Sequence, residues 1–123
     1  GEFEFLFRRA EAFYQLKEYN PAKNILSSKI PDDYKNRKEG FKLLAALNYK
    51  TDDLKASILN LKEIEDDKEN LSLTSYYQVL YILYNRLELN YHSKKIKEEL
   101  KLREIKIPDS KSKEDIVKLI ETI

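Results

Sequence analysis

An all-α fold follows from three features of this 123-residue sequence. Only two glycines and three prolines are present, too few for the turns of a β-rich chain. Apolar residues recur at helical spacing in one segment after another, beginning with Leu6, Ala10 and Phe13. The segments also recur in pairs, with a period of 35 residues. The architecture these features predict is an α-solenoid of three antiparallel helix pairs, over residues 3–31, 35–66 and 71–104, followed by a C-terminal capping helix over 111–123.

The elements read in order as follows. Gly1 and Glu2 are set aside because "GEF" reads as a cloning remnant, the chain being one domain or an excised piece of a longer one, and the first helix is expected from Phe3 to Tyr19. In "YNP", Asn20 reads as an N-cap and Pro21 as the first helical residue, where its missing N–H costs nothing. That helix ends near Lys29, ahead of Pro31. Asp32 and Asp33 offer caps for a third helix ending near Tyr49, and Thr51 for a fourth reaching Glu65. "EDDKEN" is a solvated polar loop. A tyrosine-rich helix follows from Ser72 to Leu89, and its mate from Tyr91 to Glu104. "KIPDSKS" is a linker, and the last helix, Lys113 to Ile123, carries Ile116, Leu119, Ile120 and Ile123 on one stripe.

A 35-residue register aligns the pairs without a gap. It relates Leu6, Phe41 and Tyr76; Arg9, Leu44 and Val79; Ala10, Ala45 and Leu80; and Tyr19, Leu54 and Leu89. In the second helices it relates Ala22, Ser57 and His92, and Leu26, Leu61 and Ile96. At these residues the chain resembles tetratricopeptide repeats (TPR), in which small residues such as Ala10 with Ala22, or Ala45 with Ser57, let two helices approach closely. The resemblance implies a protein–protein interaction module, a scaffold or adaptor, whose first helices line a concave groove that takes a partner protein or peptide. The places where some TPR domains clamp a terminal carboxylate hold Phe7, Glu11, Leu43, Thr74 and Gln78, so that clamp is absent. The alternative relative is the RNA-binding pentatricopeptide repeat, which "LKLREIKIPD" resembles at its repeat end.

Five of the nine tyrosines crowd into residues 74–95. Tyr76, Val79, Leu80, Leu83 and Leu87 form one helical face, suited to a core. Tyr77, Tyr81 and Tyr84 form a second, and the 35-residue register matches Tyr84 with Tyr49 and Tyr14. Tyrosine brings large area, few rotatable bonds and a hydroxyl to a recognition surface. The expected partner-binding residues are therefore Phe7, Tyr14, Tyr49, Tyr77, Tyr81 and Tyr84, against the alternative that the ring ladder packs one pair on the next.

Composition narrows the remaining classes. Twenty-three basic and 22 acidic residues leave a net charge of +1, without the basic excess of a nucleic-acid binder. With no cysteine and a single histidine, His92, the chain offers no nucleophilic or thiolate metal site, and no enzyme, cofactor or metal is expected. His92 is expected at the contact between the two helices of the third pair. No apolar run approaches a membrane span and no targeting segment opens the chain; self-association stays open.

Overall fold

The computed structural model describes residues 1–27, 29–109 and 112–123. The linker expected over 106–112 and the start of the last segment at Lys111 thus fall partly outside the described residues. The chain is all-α. Its helices are α1 (Glu2–Gln15), α2 (Tyr19–Ile25), α3 (Arg37–Lys50), α4 (Leu54–Lys62), α5 (Leu73–Arg86), α6 (Asn90–Leu102) and α7 (Lys113–Glu121), with a 3-10 turn at Lys68–Asn70 and no strand among the described residues. It divides into two units, residues 1–64 and 65–123. The helix packing within each is compatible with a helical repeat.

Several helix ends differ from the expected ones, for local reasons. Glu2 belongs to α1. The cap of α2 is Glu18, so Pro21 sits at the third helical position, still within the first turn where no intrahelical N–H bond is lost. Asn36, not Asp32 or Asp33, precedes α3. Thr51 closes α3, its hydroxyl donating to the Leu47 carbonyl at 2.9 Å, while the Asp53 carboxylate caps α4 by accepting from the Ala56 N–H at 3.1 Å. Ser72 caps α5. Ser112 caps α7 in a reciprocal capping box with Asp115.

In the first unit, α1 packs on α2, α3 on α4, and α3 also lies on α2 and α1. Phe7, Ala10, Ala22 and Leu26 of the first pair enclose Leu43 and Leu47 of α3 in one core cluster. Burial of a leucine such as Leu47, fully enclosed here, stabilises by about 1.5–3 kcal/mol. Gly40 admits α3 at close range, because a Cβ there would meet the Ile30 Cδ1 at 3.0 Å. Two polar contacts fix the second pair: the Ser57 hydroxyl donates to the Ala45 carbonyl, and the Asn48 side-chain amide donates to Asn60 at 2.7 Å. The segment between the pairs is tied to α1 by Tyr34, whose ring meets Phe3 edge-on at 4.8 Å and whose hydroxyl donates to Glu4.

In the second unit, α5 packs on α6 and on α7. Helix α7 buries Ile116, Val117, Ile120 and, just past its end, Ile123; Leu119 of the expected stripe is half-buried. The Ser75 and Thr122 hydroxyls meet at 2.7 Å, and the Ile123 carbonyl accepts from the Ser72 N–H at 2.9 Å. The end of α7 is thereby sewn to the start of α5.

Candidate interaction surface

One turn geometry recurs along the chain and fixes its internal register. After α1, α3 and α5 a residue with positive φ (Lys17, Asp52, Glu88) is followed at once by the cap of the next helix. The N–H groups of Glu18, Asp53 and Leu89 donate to the carbonyls of Phe13, Asn48 and Tyr84, at 2.9, 2.8 and 3.0 Å. Lys17, Asp52 and Glu88 donate to Tyr14, Tyr49 and Asn85. Each turn is thus a Schellman motif. The spacing of the three caps is 35 residues from Glu18 to Asp53 but 36 from Asp53 to Leu89. The ungapped 35-residue register therefore fails at the third pair, because one extra residue enters ahead of α5.

That single residue changes the correspondences. Tyr84 matches Asn48 and Phe13, whereas Asn85 matches Tyr49 and Tyr14, so the three-fold tyrosine position does not exist. Ser93, not His92, stands where Ala22 and Ser57 stand, and all three are buried. His92 is exposed, but its ring still reaches the contact between the two helices by stacking on Tyr84 of α5. Tyr81 takes the place of Ala10 and Ala45, and Lys97 that of Leu26 and Leu61.

The expected surface residues are mostly enclosed. Phe7 is 2% exposed, Tyr49 1%, Tyr77 5% and Tyr84 7%, while Tyr14 and Tyr81 are half-buried. A helix with one core face and one open aromatic face is therefore not what α5 is; Ile82 is buried too, so α5 is covered on most sides. Tyr77 meets the Tyr76 ring edge-on at 5.3 Å, and the Arg103 guanidinium lies 5.0 Å from its centroid. Tyr84 is stacked on the exposed His92 ring at 5.1 Å and an interplanar angle of 27°. Tyr76 is buried and its hydroxyl has no hydrogen-bond partner among the described residues. Burial, reinforced by the Glu65 carboxylate, pushes that phenol far above its ordinary range.

What remains open is a groove of about 760 Å³ between α5 and α6. Tyr81 and Asn85 form one wall and Ser93, Lys94, Lys97 and Lys101 the other. Ile105 and Ile107, in the extended segment after α6, line it as well. That segment is held by α5, since the Gln78 amide donates to the Lys106 carbonyl at 3.0 Å. Among the described residues none of the three lysines forms a salt bridge.

Sequence reasoning named Tyr81 but missed the lysine wall, because Lys94, Lys97 and Lys101 alternate with acidic residues and read as a solvent face. Their shared direction emerges only once α6 is docked on α5. Among the described residues no cluster of His, Cys, Asp and Glu could hold a metal ion, and no helix is long and apolar enough to cross a membrane. No family model matches this chain, and no curated protein or solved structure matches it either.

Proposed function

We propose that the chain is a protein–protein interaction module: an α-solenoid of three antiparallel, TPR-like helix pairs, with α7 as a C-terminal capping helix packed on α5, that serves as a scaffold or adaptor. The observation that carries this reading is the recurrence of one Schellman turn in three successive helix pairs, with small buried residues at the crossings of the first two, Ala10 with Ala22 and Ala45 with Ser57. Repeats of this kind stack into long surfaces whose work is recognition. Of the six aromatic residues, Tyr81 is the centre of the contact, because it is half-buried and lines the groove. Tyr77 and Tyr84 flank it in sequence on α5, and Phe7, Tyr14 and Tyr49 occupy the helices of the first two pairs.

The test is affinity capture with the chain, identification of the captured protein, and measurement of its binding to Tyr81→Ala. A loss of at least about tenfold in a variant that still melts cooperatively supports the reading, in keeping with the weight tyrosines carry at interfaces. Undiminished affinity overturns it at this surface. The RNA-binding alternative has one observation in its favour, the lysine wall of α6, and predicts a steep salt dependence of binding to single-stranded RNA.

A further inference from the structure

We infer that the α5/α6 groove seats an amphipathic helix of a partner protein whose apolar stripe is flanked by acidic residues. The inference rests on reading the chain as an interaction module, and it names the partner's chemistry. The first unit supplies the template. There the groove between α1 and α2 receives a helix, α3, which inserts Leu43 and Leu47 among Ala10, Tyr14, Ala22 and Leu26. In the register set by the Schellman turns, the matching residues of the third pair are Tyr81, Asn85, Ser93 and Lys97, and all four line the open groove. Four of the residues that hold a helix in the first pair thus recur, in position, in the groove; the counterpart of a fifth, Phe7, is Gln78, which instead donates to the Lys106 carbonyl.

Their chemistry has changed in a way that selects the occupant. Leu26 is buried under α3, but its counterpart Lys97 is exposed and stands in line with Lys94 and Lys101. An all-apolar helix would have to strip water from these ammonium groups without compensation, whereas carboxylates beside its stripe would pair with them. Only Glu98 among the groove residues opposes that charge. Apolar contact remains available from the Tyr81 ring and from Ile105 and Ile107, the last of these 42% exposed. Apolar floor and basic rim together fit the helix-in-groove mode of recognition.

The probe is a labelled synthetic helix carrying leucines at the spacing of Leu43 and Leu47, flanked by glutamates; its control carries lysines in their place. Binding to the whole chain is read by fluorescence anisotropy. The glutamate peptide should bind and the lysine peptide should not. Affinity should fall at least about tenfold in Lys97→Glu/Lys101→Glu, less in Lys97→Ala/Lys101→Ala, and progressively with added salt. Both lysines are exposed, so the variants should keep the parent melting curve. Failure of both peptides to bind, equal binding of the two, or undiminished affinity in the charge-reversed variant overturns the inference. So does displacement of the glutamate peptide by single-stranded RNA at lower concentration, which gives the groove to nucleic acid. A dimer of the chain that the charge reversal dissolves gives it to a second copy and likewise overturns it. A captured protein that needs Tyr81 but ignores the lysine reversal overturns this inference alone, leaving the interaction module intact; one indifferent to both sets of variants overturns both.

Discussion

The Ser57 hydroxyl donates to the Ala45 carbonyl at 2.9 Å, and neither residue has any exposed surface. The bond satisfies a buried hydroxyl, and the small side chains at both ends allow α4 to lie against α3. Ser57→Ala should cost about 0.5–1.5 kcal/mol, the worth of one neutral hydrogen bond. Ser57→Leu should cost about 1–3 kcal/mol by overpacking. Urea unfolding followed by circular dichroism separates the two, and equal costs would show that the site is not tightly packed.

Tyr76→Phe should be neutral or stabilising. The native hydroxyl is buried without a partner, which costs about 1–3 kcal/mol relative to a satisfied or absent group. Its folded-state pKa lies above the ordinary 10.0, so the unfolded chain releases this proton first as pH rises. Stability should therefore hold below about pH 10 and fall above it, and the alkaline fall should be smaller in Tyr76→Phe than in the parent. Melting temperatures across pH 8–11 provide the measurement.

Ile120 of α7 has no exposed surface, and Ile120→Ala should destabilise by about 2–5 kcal/mol. Deleting residues 110–123 removes Ile116, Val117, Ile120 and Ile123 from their burial and should lower the melting temperature or cause aggregation. An unchanged melting temperature would make α7 dispensable to the second unit.

Tyr34 holds the Glu4 carboxylate below its ordinary value by donating a hydrogen bond to the charged form, with Arg8 assisting. In Tyr34→Phe the Glu4 titration, followed by nuclear magnetic resonance, should move up toward 4.5. The same linkage stabilises the parent above that pH and is lost as pH falls through the folded-state value, so acid stability should be less pH-dependent in the variant. An unmoved Glu4 titration would exclude the hydrogen bond in solution.

The helices were legible in the sequence because apolar spacing is a local signal; the stripe of α7 located that helix, whose start the structure fixes with the Ser112–Asp115 capping box. The turns were not, since Schellman motifs usually announce themselves by glycine and here use Lys17, Asp52 and Glu88. Without that marker the one-residue insertion ahead of α5 went unseen. One residue is about 100° around a helix, enough to align Tyr84 with Tyr14 and Tyr49 on paper when the turns align it with Phe13 and Asn48. The burial of Tyr77 could not be read either, because Arg103 reaches its ring from α6's far end. Tyr81 was singled out by its spacing on α5, but the groove it lines needs two helices and the Ile105–Ile107 segment.

Lys17, Asp52, Glu88 and Glu104 all hold a left-handed backbone that suits glycine better than any side chain. An L-residue there costs about 1–2 kcal/mol, and glycine returns about 0.5–1 kcal/mol of that as unfolded-state entropy, so each replacement should raise stability slightly. Among the described residues the four turns share no backbone hydrogen bond, so the increments should accumulate. In evolutionary terms the chain keeps four single-residue routes to greater heat resistance that it has not taken. A lineage that took them would gain tolerance for otherwise damaging substitutions elsewhere, including new side chains in the α5/α6 groove.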